Sequence, residues 1–297
     1  MSISTQPLTI AISSRALFDL SEENNIFETQ GMQAFADHQR KHEDLILRPG
    51  PAFSLVKVLL NCNQLIENKQ FVEVVITSKN SHDTALRVLN SIQHYGLDIR
   101  RAIFTGGTSV VSYLKAFQVG LFLSASAEDV ALAANSQIAS GLIYGDSTLK
   151  ADSADGIRIA FDGDAVIFSG ESEIIYKTQG IEAFEKHEIA KAKEPLPDGP
   201  FAQFLRTLCE LQQITKQHIQ SNITIRTALV TARNSNCYER VTRTLRAWNI
   251  IIDETFFLDG MDKTEILAAF NPQIFFDDQS KHCDRASKVV PTARVLS

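Results

Sequence analysis

The chain has 297 residues, 44% of them apolar and 22% charged, with a formal net charge of −6. That is enough apolar sequence for one large core or two of ordinary size. The negative balance excludes a broad basic surface for nucleic acid or an anionic membrane, leaving a small molecule as the expected partner. No apolar run approaches the roughly 18 residues of a membrane span. Met1 to Thr9 has neither the basic start nor the apolar stretch of a leader. Cys62, Cys209, Cys237 and Cys283 form no C-x-x-C pair. The expectation is a soluble, cytoplasmic protein with reduced thiols.

In chain order, the sequence repeats itself, and a repeat decides the architecture before any motif does. Ile10-Ala11 opens a first strand and recurs as Ile159-Ala160. Thr29-Gln30-Gly31 recurs as Thr178-Gln179-Gly180, Ala34-Phe35 as Ala183-Phe184, His38 as His187 and Gly50-Pro51 as Gly199-Pro200, all at an offset of 149 (178 − 29). Past an insertion near residues 211–224 the offset reads as 154 (231 − 77), pairing Thr77 with Thr231 and Asn80 with Asn234. Two copies of one α/β unit are expected, residues 1–145 and 146–297.

Within the second copy, residues 157–162, 226–231, 255–258, 273–277 and 293–296 read as buried strands. Residues 236–248, 263–270 and 279–288 carry helical periodicity. This alternation predicts an α/β fold of two tandem doubly wound, Rossmann-like parallel-sheet units, each with a helical insertion after its first strand. In the second copy the insertion is expected over about residues 171–220, around the Pro195 to Pro200 turn. It would overhang the carboxyl edge of the sheet, where ligands bind in such folds.

Three strand ends of the second copy carry polar chemistry. The first ends in Phe161-Asp162-Gly163-Asp164, two carboxylates at the mouth of a buried strand, which are costly unless something cationic neutralises them. The second delivers the hydroxyl of Thr231, and another ends in Asp277-Asp278; Lys263 starts a helix between them. Acids in this number suit a hard, oxygen-ligated ion, and Mg²⁺ takes one or two carboxylates together with substrate phosphate. The set reads as a phosphoryl-transfer site.

Asp-x-Asp, Thr, Lys and an acidic pair, in this order at strand ends, resemble the four motifs of the haloacid dehalogenase superfamily. More narrowly, Ile12-Ser13-Ser14-Arg15-Ala16-Leu17-Phe18, the run from Phe161 to Phe168, Leu229-Val230-Thr231-Ala232-Arg233 and the run from Ile274 to Gln279 look like the cytosolic type I 5'-nucleotidase family. That resemblance covers nearly the whole chain. It implies Mg²⁺-dependent hydrolysis of a nucleoside 5'-monophosphate. Asp162 would be the nucleophile and Asp164 the acid and base, with Thr231 and Lys263 on the phosphoryl oxygens. The metal would be held by Asp162, the Asp164 main-chain carbonyl and one of Asp277 and Asp278, with Asp278 favoured. A phosphatase of another small phosphomonoester and a non-catalytic nucleotide sensor are the alternatives.

At the same offsets Ser13 replaces Asp162 and Arg15 replaces Asp164, so one active site per chain is expected. Packing alone would explain the first copy. The sharper reading is a relict anion site, built from Arg15, Thr77 and the Thr105 to Ser109 turn, that binds a regulatory nucleotide or completes the substrate pocket. Among other residues, His38 and His187 read as structural, and Phe184, Phe201 and Phe204 as core or base contacts. Arg233 reads as a phosphate ligand or the partner of a nearby acid. Asn222-Ile223-Thr224 matches a glycosylation sequon, which has no meaning in a cytosolic protein.

Overall fold

The aliphatic and β-branched runs become strands: β1 (Leu8–Ser13), β2 (Val72–Ser78), β3 (Arg101–Phe104), β4 (Leu121–Ser124), β5 (Ser140–Tyr144), β6 (Ile157–Phe161), β7 (Ile225–Thr231), β8 (Glu254–Phe257), β9 (Ile274–Asp277) and β10 (Thr292–Val295). Between them run α1 (Ser14–Leu17), α2 (Ser21–Lys41), α3 (Phe53–Leu60), α4 (Leu86–His94), α5 (Val111–Leu114), α6 (Ala127–Asn135), α7 (Glu171–Gln179), α8 (Ile181–Ala190), α9 (Ala202–Gln217), α10 (Tyr238–Ala247), α11 (Thr264–Phe270) and α12 (Ser280–Ala286). This is a computed structural model, and it describes residues 6–144, 156–218 and 223–296. The expected boundary at 145 and 146, the first residues of the chain and Asn222 of the sequon lie outside the described residues. No helix among the described residues is long and apolar enough to cross a membrane.

Where two tandem parallel-sheet units are expected, one ten-stranded sheet runs through the chain in the order β3-β2-β1-β4-β5-β10-β9-β6-β7-β8. The second half repeats the strand order of the first in mirror image. Every ladder is parallel except the seam, where Thr292 of β10 faces Tyr144 of β5 antiparallel. That single reversal puts the carboxyl ends of the two sets of strands on opposite edges of the sheet. The central strands are buried on both faces, as parallel strands between helices must be. Ile10, Ile12, Ile159, Phe161 and Phe276 join α3 and α9 in one core that spans both halves, while Ala11 and Ala160 face two smaller clusters on the other side.

The backbone repeats more closely than the sequence. Gly31 interrupts α2 at φ 83°, and Gly180 separates α7 from α8 at the same φ, a conformation open to glycine. Strand register corrects the second offset. Ile10 pairs with Val74, and Ile159, its counterpart, with Thr227, so the later segments are offset by 153 (227 − 74) and not 154. Ser78 therefore stands where Thr231 does: its Oγ accepts from Asn80 N at 3.1 Å, as Thr231 Oγ1 does from Arg233 N at 3.2 Å. Lys263 corresponds to Val110, and Asp277-Asp278 to Ser124-Ala125. The chance Thr77/Thr231 and Asn80/Asn234 identities, one residue out of step, hid this.

The insertion is also shorter than expected. Only α7 and α8 form a hairpin against the carboxyl edge, tied there by Gln279 Nε2 to Glu173 at 3.1 Å and by an Asn234–Glu185 hydrogen bond. Helix α9 is an ordinary crossover, with Phe204, Leu205, Leu208 and Leu211 in the core. Phe201 and Phe204 pack against Phe161 and Phe276, which places both in the core.

Candidate active site

The carboxyl ends of β6, β7 and β9 bring Asp162, Thr231 and Asp277-Asp278 together, and the first residue before α11 adds Lys263. Strand pairing fixes the frame: Asp162 N donates to the Phe276 carbonyl at 2.8 Å. The Lys263 ammonium, 3% exposed, lies 2.7 Å from Asp162 Oδ1 and 2.6 Å from Asp277 Oδ2. The cation that the sequence assigned to a metal is thus supplied in part by lysine. Asp277 is saturated, taking Gln279 N at 2.9 Å and facing His282 Nδ1 at 3.2 Å besides Lys263.

Asp278 is different, because its Oδ1 is buried and has no hydrogen-bond partner among the described residues. One carboxylate oxygen from each of Asp162, Asp277 and Asp278 lies within 4.8 Å of the others, a group that could hold a metal ion. Burial pushes the Asp278 carboxyl up to about 8, helped by Asp162, Glu173 and Asp277. Burial likewise raises Asp162 to about 7 against the pull of Lys263. Asp277 is buried too, yet Lys263 and His282 hold it below the usual carboxylate range. Two strained acids beside one neutralised acid form a site short of positive charge.

Asp164 points into a second network. Arg233 donates to both its oxygens, from Nε at 2.8 Å and Nη2 at 2.6 Å, and pairs through Nη1 with Glu188. Glu188, completely buried, also takes Arg240 Nη1 at 2.8 Å and Ser172 Oγ at 2.8 Å. Burial would raise its carboxyl, but the two guanidiniums and the hydroxyl hold it low. Arg233 is therefore the partner of nearby acids, and its guanidinium lies 5.2 Å from the Phe184 ring centroid. Phe184, 5% exposed beneath that arginine, is not free to stack on a base in this arrangement. His187 faces Glu171 at 3.4 Å and His38 faces Glu23 at 3.6 Å, both within the insertions.

Arg15 and Thr77 lie at the carboxyl ends of β1 and β2, on the opposite edge of the sheet from Asp162. They cannot complete a pocket around it. Sequence reasoning missed Glu188, Arg240 and His282. Glu188 alone left a signal, since a spacing of four from Phe184 puts it on the buried face of α8.

The model of the family described as 5'-nucleotidase matches residues 1–297. A human protein, cytosolic 5'-nucleotidase 1B, is 37% identical over 289 residues, covering 95% of this chain and 47% of its own length. The chain thus spans about half the length of that curated relative. No solved structure matches it. With the family model matched from end to end, the chain belongs to the 5'-nucleotidase family.

Proposed function

We propose that the chain hydrolyses nucleoside 5'-monophosphates to nucleoside and phosphate, through a phosphoryl-enzyme on Asp162 and with Mg²⁺. The observation that carries the reading is the buried Asp278 Oδ1, without a hydrogen-bond partner among the described residues, beside Asp162 and Asp277. A buried carboxyl that ionises only with difficulty in such a place is stabilised as a carboxylate by a hard cation. Asp162, the Asp164 main-chain carbonyl and Asp278 would hold the ion, with Asp277 occupied by Lys263. The ion would supply charge stabilisation of the transferring phosphoryl group.

The protein groups then divide the work. Asp162 attacks phosphorus as the bond to the 5'-oxygen breaks, and Asp164 gives that oxygen a proton. A water next attacks the phosphoryl-aspartate, passes its proton back to Asp164 and releases phosphate with Asp162 restored. Thr231 and Lys263 hold phosphoryl oxygens as their charge spreads. Asp164 must first leave Arg233, which stays anchored on Glu188. Asp162 and Lys263 are nearly shielded from solvent, so substrate reaches them when the α7–α8 hairpin parts from the sheet edge. One active site per chain fits Ser13, Arg15, Ser124 and Ala125 in the corresponding places of the first half, read as a degenerate copy. The family and the 1B relative support the substrate class; cytosolic residence is inferred from that relative alone.

The test is phosphate release from a panel of nucleoside monophosphates and sugar phosphates, with Mg²⁺ or EDTA, on the wild type and Asp162→Asn. Mg²⁺-dependent release from nucleotides that vanishes in Asp162→Asn is expected. Release from sugar phosphates alone would replace the substrate, and no release from any compound would replace the enzyme with a nucleotide sensor.

A further inference from the structure

The first half contains a cavity of about 710 Å³ at the carboxyl ends of β1, β2 and β4, under α2. Its volume lies in the range of small-molecule sites. Its place in the sheet is that of the candidate active site in the second half, but its chemistry is inverted. Where that site has Asp162, Asp164, Asp277 and Asp278, the cavity has Ser13, Arg15, Ser124 and Ala125. Where Arg233 answers Asp164, the corresponding residue is Asn80, which offers Arg15 no charge.

Arg15 is exposed and makes no ion pair within 4 Å among the described residues. Partial burial pulls the guanidinium below its ordinary value, against the opposing charge of Glu28. The other charged residues of the wall are already matched: Glu23 with Arg87, Arg40 with Asp83, and Lys79 with Asp129. Thr77, 1% exposed, also lines the cavity, and its Oγ1 has no hydrogen-bond partner among the described residues. A cation without an ion pair and a buried hydroxyl without a hydrogen bond among the described residues thus share one cavity with the apolar Phe27, Met32 and Phe35.

We infer that this cavity binds a phosphomonoester with an aromatic body, a nucleotide in chemical class, without a metal and without hydrolysing it. The phosphate would lie on Arg15 and near Thr77, and the ring on the Phe27–Phe35 side. Ser13 Oγ accepts from Ala16 N at 3.2 Å and Ala125 N at 3.3 Å and hydrogen-bonds to no carboxylate among the described residues, so nothing activates it as a nucleophile and the ligand leaves as it came. The seam at β5 and β10 puts this site and Asp162 on opposite sheet edges, so the two would be filled independently.

The full chain carrying Asp162→Asn, in EDTA, is dialysed to equilibrium against labelled AMP, with adenosine and inorganic phosphate as competitors. One Arg15-dependent site per chain is expected, apart from any binding left at the Asp162 site, with phosphate competing and adenosine much weaker than AMP. Arg15→Ala should weaken binding about tenfold or more, the scale of one charge-assisted contact, and Thr77→Val about threefold. Arg15 is exposed and pairs with no acid among the described residues, so its variant should fold, and circular dichroism checks that it does. Absence of binding in EDTA, binding unchanged in Arg15→Ala, or adenosine equal to AMP would overturn the inference. Phosphate release by the wild-type chain is measured separately, so this site and the catalytic reading fail independently.

Discussion

Replacing Lys263 with methionine tests the electrostatics of the acid cluster directly. The ammonium lies 2.7 Å from Asp162 and 2.6 Å from Asp277. At an effective dielectric of about 20, each contact is worth about 6 kcal/mol of attraction, most of it offset by the cost of burying the charges. Methionine keeps the packing and leaves two buried carboxylates facing each other, so the net loss is that of breaking a buried pair, about 3–5 kcal/mol. At about 2–4 °C per kcal/mol, the melting temperature in EDTA should fall by roughly 6–20 °C. Added Mg²⁺ should then raise the variant more than the wild type, because the freed acids take the ion without competition from lysine. Binding at a hundred times Kd returns about 2.7 kcal/mol. Thermal melts by circular dichroism over a MgCl₂ series read both effects. Equal melting in EDTA would refute the neutralising role of Lys263, and equal Mg²⁺ increments would refute the acid cluster as the ion's site.

Two further outcomes test the scaffold around the site. Glu188 has a carboxyl held low, so the stability it contributes is present above its ordinary value of 4.5 and lost as pH falls through the depressed folded value. The melting-temperature gap between wild type and Glu188→Gln should therefore close on acidification, and a gap constant from pH 7 to pH 3 would contradict the pairing with Arg233 and Arg240. A methyl group added at Gly199 would lie 2.3 Å from the Phe168 carbonyl oxygen and 2.6 Å from that of Val166. Since both neighbours are backbone, Gly199→Ala should cost about 1–3 kcal/mol or more in urea unfolding, and an unchanged midpoint would show that the turn is not packed this way.

Much of this protein was legible in one dimension. The strand positions of the second half agree with the structure to within one or two residues, because buried parallel strands are continuous apolar runs bounded by polar ends. Those polar ends then named Asp162, Asp164, Thr231, Lys263, Asp277 and Asp278, and the structure gathers all six around one sheet edge. Repeats in sequence foretold repeats in backbone, down to the shared φ of Gly31 and Gly180.

Tertiary structure decided what depends on distance across the sheet. No local pattern distinguishes two parallel sheets from one sheet with an antiparallel seam, since the Ser140–Tyr144 and Thr292–Val295 strands meet through hydrogen bonds between residues more than 140 positions apart. The one-residue error at Thr77 was invisible for the same reason: identity of letters favoured one offset, and the hydrogen-bond register imposed another. Arg233 could be assigned to Asp164 and Glu188 rather than to substrate only once β7, the β6 loop and α8 were in contact. The sequence by itself determined which residues are the candidates for the chemistry and that they stand at strand ends, because residue type and order along strands are local properties. Which charges neutralise which, and that Arg15 faces a cavity on the far edge from Asp162, follow from packing, because ion pairing and burial are properties of neighbours in space.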